Sequence, residues 1–274
     1  MTLSTGSRPV GPAKALPPGR YKMSGLLRAE WTKLRTLRST MWTLGLTVFL
    51  GIGISVLACA ETRAHWSTTQ VSGFDPTSTS LIGVFFGQLT IGVLGVLAIS
   101  GEYGSGTIRA TFSAAPRRPL ALLAKAAVFG LVALLVAEVV AFLSFFLGQA
   151  LLTAPAIHAT IGSPGALRAV GGSGVYLCLI GLFALGIATI VRHTAWSISA
   201  FLGILLVGPI IIRALPPSLS NEIEKFMPDH IGAAVVTLHM GSESLAPWIG
   251  LAVLCGYAVA LLVIGAVLLV RRDA

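Results

Sequence analysis

Residues 171–212 read GGSGVYLCLIGLFALGIATIVRHTAWSISAFLGILLVGPIII, with Arg192 as their one charge. An α-helix needs about 20 consecutive apolar residues to cross ~30 Å of hydrocarbon. The run Gly171 to Val191 meets that length, and Thr194 to Ile212 comes close to it. Only Arg192 and His193 lie between them, so the pattern predicts a tight hairpin of two membrane-spanning helices.

Working outward, the same criterion finds four more runs. Met41 to Ala60 and Leu81 to Ser100 carry no charge. Leu120 to Leu147 has Lys125 near its start and Glu138 inside it, and Trp248 to Val270 is the last. The predicted fold class is an all-α membrane protein with six spans, at 41–60, 81–100, 120–147, 171–191, 194–212 and 248–270. Pro155, His158, Pro164 and Arg168 interrupt the stretch 150–170, which reads as an outer loop.

Composition agrees. The chain has 274 residues, mean hydropathy +0.87, and only 11% charged residues, against roughly 25% in soluble domains. Its formal net charge is +9, from 19 Lys+Arg and 10 Asp+Glu. A nucleic-acid-binding protein needs a wettable basic face, and most of this chain is uncharged, so nucleic acid is excluded as a partner. With six spans, Arg63, Arg168, Arg213 and Lys225 fall on one side, leaving 15 of the 19 cations on the other. The positive-inside rule makes that richer side cytoplasmic. Both termini are thus expected in the cytoplasm.

Cys59, Cys178 and Cys255 sit in apolar runs and are odd in number, which predicts buried small hydrophobes rather than a disulfide set. His65, His158, His230 and His239 lack ligand spacing, so neither a metal nor another cofactor is predicted. Residues 1–23 are rich in Pro and Gly and lack an apolar h-region. They read as a disordered cytoplasmic tail rather than a signal peptide.

Two segments outside the spans carry pattern. In 24–40, Leu27, Trp31, Leu34 and Leu37, continued by Met41, recur at steps of three and four. Arg28, Lys33, Arg35 and Arg38 make up the charged remainder. This predicts an amphipathic helix in the inner interface, anchored by Trp31, Lys33, Arg35 and Arg38 against anionic headgroups. A positive stop that orients the first span accounts for the same charges. The loop 101–119 reads GEYGSGTIRATFSAAPRRP. Thr107 can cap a short helix that ends before Pro116, placing Ile108 and Phe112 on one face beside Arg109. An ordinary connecting loop is the plainer alternative.

The pair AEWTKLRTLRSTMWTL (29–44) and ISGEYGSGTIRATFSAAPRRPLALLAKA (99–126) resembles the permeases of ABC-2-type exporters, actinobacterial members above all. The matching positions are Glu102, Gly106-Thr107, Pro116-Arg117-Arg118 and Lys125. The resemblance implies that 101–119 is a coupling loop docking on a separate ABC ATPase subunit. Its coupling residues would be Glu102, Tyr103, Gly106, Thr107, Ile108, Arg109, Phe112, Arg117 and Arg118. It also implies a second permease copy or homologue as partner, in the plasma membrane of a bacterium. Gly104 to Thr107 lacks the Lys of a Walker A loop, so ATP hydrolysis is expected on the partner and no enzyme activity here. An ATP-independent secondary transporter and a non-transporting accessory protein remain the alternatives.

Glu138 is the one acid inside a span. At ~1.5 Å per residue from Leu120 it lies about 27 Å along the helix, in the outer half of the bilayer. A carboxylate there costs ~2.5–3.5 kcal/mol at the bilayer centre and less toward the interface. It reads either as a transport-path or proton site, or as a hydrogen-bonded contact with Gln88 or Gln149. Gly83 and Gly87 form a G-x-x-x-G step for close helix packing. Pro209 predicts a kink in the fifth span, and 216–227 a short acidic helix.

Overall fold

The computed structural model describes residues 23–66, 73–104, 106, 118–152, 157–238 and 244–271. Among them every regular element is a helix. The expected helix for residues 107–115 lies outside the described residues. The elements are α1 (Met23–Thr36), α2 (Arg38–Ala64), α3 (Pro76–Ser80), α4 (Gly83–Gly104), α5 (Arg118–Leu151), α6 (Ala166–Val191), α7 (Thr194–Leu202), α8 (Gly208–Arg213), α9 (Pro217–Glu224), α10 (Pro228–Val236) and α11 (Pro247–Arg271). Among the described residues, six helices are long and apolar enough to cross a membrane: α2, α4, α5, α6, the α7–α8 rod over Thr194–Arg213, and α11. The chain is a multi-pass membrane protein.

The core is built around α6, which packs against α4, α5 and α11. Its apolar segment is 72% buried, against 22% for α2 and for α11. Outward-facing Trp42, Phe49, Leu135, Trp196 and Ile210 form an apolar girdle. A surface of that kind suits hydrocarbon as solvent, where exposed apolar side chains carry no penalty. Cys59 and Cys178 are buried, but Cys255 is exposed on α11. The sequence reading erred there because an apolar helix in a bilayer need not turn every apolar residue inward.

Small residues set the closest helix crossings. A Cβ on Gly83 would lie 1.8 Å from the Gly51 carbonyl oxygen, and one on Gly95 would lie 2.2 Å from that of Gly181. Thus α4 meets α2 and α6 backbone to backbone, as small residues permit in membranes. The Gly83 N–H also donates to Ser55 Oγ at 3.0 Å.

The α6–α7 hairpin turns at Arg192, whose φ of 61° is left-handed. Glycine is the usual occupant of such a helix C-terminus. Here the guanidinium donates to the Leu268 carbonyl at 3.1 Å and lies over the Tyr103 ring, 5.6 Å from its centroid. These contacts hold the unusual conformation. The fifth span is interrupted by a π-helical stretch, Gly203–Val207, just before Pro209. Proline cannot donate to the preceding turn, and the wider turn takes up the misfit.

At the opposite end, polar side chains brace the loops. Asp75 caps α3 by accepting from Thr77 N and Ser78 N, and its Oδ2 accepts from Leu238 N at 2.8 Å. Gln149 donates to Pro76 O and Ser80 Oγ and accepts from Ala159 N. Arg168 donates to the carbonyls of Val235 and Thr237. Between the fifth and sixth spans lie two short helices, α9 and α10.

Candidate functional site

The chain is not one continuous helix from 24 into the first span. Leu37 is extended, with ψ of 117°, so α1 separates from α2 and lies against α5 instead. That placement turns inward a residue that lies outside the apolar stripe. Trp31 is 49% exposed, whereas Glu30 is the buried residue of α1, 5% exposed. The inward face runs through Leu27, Glu30, Lys33 and Leu34.

Glu30 is buried because it completes a ring of four charges. Lys125 Nζ, from the start of α5, donates to Glu30 Oε2 at 2.6 Å and to Glu102 Oε1 at 2.7 Å. Lys33 Nζ donates to Glu30 Oε1 at 2.8 Å and to the same Glu102 Oε1 at 2.9 Å. Each lysine bridges both glutamates, and two carboxylates balance two ammonium groups. A desolvated charge is tolerable only when paired and hydrogen-bonded, and a closed ring meets that condition. Burial works against the Lys33 ammonium, but hydrogen bonds and attraction from Glu30 and Glu102 outweigh it and raise its pKa above the ordinary lysine value. Of the predicted anchors, Lys33 is therefore committed to the ring, while Arg35 and Arg38 are exposed.

The ring ties α1, the last turn of α4 and the first turns of α5 together. Beside it a cavity of about 370 Å³ opens between these helices and α2, walled by Leu34, Leu37, Leu94, Leu97, Ala98 and Phe129. A second brace lies next to it. Arg118 Nη1 donates to the Leu269 carbonyl at 3.0 Å, next to the Leu268 carbonyl bound by Arg192. The last carbonyls of a helix lack intrahelical donors, so two arginines from distant segments cap α11. The helices that flank residues 105–117 are thereby tied to the bundle, α4 through Glu102 and α5 through Arg118.

Of the predicted coupling residues, Glu102, Tyr103, Gly106 and Arg118 are described, and Gly106 is exposed with φ of +71°. Thr107, Ile108, Arg109, Phe112 and Arg117 lie outside the described residues. Sequence reasoning missed Glu30. The available signal was a lone acid in a cationic helix, three residues before Lys33, the spacing of a helical ion pair.

Glu138 is remote from the ring. Its carboxylate rests on the bare backbone of Gly174 in α6, where a Cβ would come within 2.4 Å of Glu138 Cδ. The Oε2 atom is buried without a hydrogen-bond partner among the described residues. Neither expected partner reaches it: Gln88 accepts from the Tyr176 hydroxyl, and Gln149 is spent on the loops. Among known proteins, no family model and no curated protein matches this chain.

Proposed function

We propose that this chain is the membrane-spanning subunit of an ABC exporter in a bacterial plasma membrane, coupled through 101–119 to a separate ATPase. The carrying observation is the ring itself. Glu102 and Lys125, two of the residues through which the resemblance to ABC-2-type permeases runs, meet Glu30 and Lys33 from the other resembling segment. A loop fixed at both feet to four helices is suited to passing a push from a docked partner into the bundle. In this reading the loop end faces the cytoplasm, as its excess of cations requires. The exposed Trp31, Arg35 and Arg38 of the α1 region then meet the headgroups. A second permease copy or homologue completes the translocation path, and ATP is hydrolysed on the partner.

The test is affinity purification of the full chain from its native membrane in mild detergent. The reading expects an ABC ATPase in stoichiometric amount. Recovery of the intact chain without any ATPase, under conditions that preserve a known exporter complex, would contradict it.

A further inference from the structure

The end of the bundle away from the charge ring holds a second cavity, of about 420 Å³, between the ends of α2 and α4, the middle of α6, and α10. Its wall is largely apolar, with Ile82, Phe85 and Val236 prominent. The polar groups that interrupt it are the hydrogen-bonded pair Tyr176 and Gln88, Asp229, and the hydroxyls of Thr62, Ser78, Thr79 and Thr237, which donate to backbone carbonyls three or four residues earlier. Gly232 lets α10 close on Tyr176, since a Cβ there would lie 2.6 Å from the phenolic oxygen.

The charge at this site is not balanced. Among the described residues, the buried Asp229 Oδ1 has no hydrogen-bond partner and Asp229 makes no ion pair. The neighbouring basic side chains are engaged elsewhere: Arg213 Nε lies 2.9 Å and His230 Nδ1 3.3 Å from Glu224 Oε1. Burial holds the Asp229 carboxyl above the ordinary aspartate range, the mark of a carboxylate short of compensation. The Tyr176 hydroxyl gives its proton to Gln88, so its oxygen remains an acceptor. The aromatic faces of Phe85 and Tyr176 are further sites of attraction for a cation.

We propose that this cavity binds a lipophilic monocation, an ammonium or phosphonium ion with an apolar body, whose charge sits against Asp229 and whose body fills the apolar wall. This goes beyond the exporter reading, because binding here requires neither an ATPase nor transport. A neutral apolar ligand would leave Asp229 unpaired, and an anion would be repelled by it. A cation without an apolar body would leave the wall unfilled.

The experiment is equilibrium dialysis of the full chain in phosphatidylcholine nanodiscs against tetraphenylphosphonium, with empty nanodiscs as baseline. Tetraphenylborate, of the same shape and opposite charge, is the control. The expected result is saturable phosphonium binding above baseline, with none for the borate. Asp229→Asn should weaken phosphonium binding at least tenfold, and Ala233→Trp, which fills the cavity from α10, should remove it. Phosphonium binding no greater than to empty nanodiscs would overturn the proposal. So would saturable binding of the borate, or undiminished phosphonium binding by folded Asp229→Asn. The contrast between the two probes uses the unaltered chain and stands if neither variant folds.

Discussion

Lys125 Nζ lies 2.6 Å from Glu30 Oε2, across 95 residues of sequence, and the same ammonium is 2.7 Å from Glu102 Oε1. One lysine at the start of α5 therefore holds two carboxylates from two other helices. Without it, Glu30 and Glu102 each lose the shorter of their two lysine contacts and keep the one to Lys33, whose side chain is 35% exposed.

Lys125→Met should consequently destabilise the protein by about 3–5 kcal/mol, the cost of leaving buried charge uncompensated. Replacing Glu30, Lys33, Glu102 and Lys125 together by apolar residues of similar size should be neutral or stabilising by up to about 4 kcal/mol. Thermal unfolding in detergent distinguishes the two. A single variant as stable as wild type would show that the ring is solvated.

The glycine crossings give a paired prediction. Gly83→Ala puts a methyl group 1.8 Å from the Gly51 carbonyl oxygen, so α2 and α4 must part, at about 1–3 kcal/mol or more. Gly53→Ala, on the same helix as Gly51 but with nothing within 4 Å, should stabilise by roughly 0.5–1 kcal/mol. Equal effects in a denaturation series would contradict the packing described.

Glu138 has a buried oxygen without a partner among the described residues, so Glu138→Leu should raise stability by about 1–3 kcal/mol, the penalty of an unsatisfied polar group. On the exporter reading proposed above, that cost is offset by a role in transport. Glu138→Gln should then lower transport without lowering the yield of folded protein. Gly174→Ala, which displaces the carboxylate, should do the same.

Stability should also vary with pH through Asp229. Burial raises its pKa, despite hydrogen bonds from backbone N–H groups and the nearby His230 and Arg213. A carboxyl with a raised native pKa binds protons more tightly when folded. Its stabilising contribution is complete below the ordinary value of about 3.9 and is lost as pH rises through the higher native pKa. Asp229→Asn should flatten that part of the stability profile. An unchanged slope would place the titration elsewhere.

Much of the fold was legible because spanning a bilayer leaves a one-dimensional record. Six apolar runs of sufficient length, and the two-residue break at Arg192, need no knowledge of neighbours. The face of α1 was not legible in the same way. Leu27, Trp31 and Leu34 give a stripe, but the buried face is fixed by Glu30 meeting Lys125 and Glu102, contacts with no local signature. Gly83 announced a close approach without naming Gly51 as its partner. Gln88 and Gln149 were plausible companions for Glu138 by composition, yet Tyr176 and the loop carbonyl of Pro76 claim them. The Asp229 cavity is assembled from four separate segments, and no single stretch hints at it.

The central claim, coupling of 101–119 to an ATPase, is tested most directly by ATP hydrolysis of the purified complex carrying Phe112→Asp. A helix seated in a groove is anchored by a few apolar side chains, and a rim charge acts mainly on association rate and salt dependence. The account predicts that Phe112→Asp abolishes both ATPase co-purification and stimulated hydrolysis while the chain inserts in normal amount, with Arg109→Glu much milder. Wild-type co-purification and hydrolysis in the Phe112→Asp variant would contradict it.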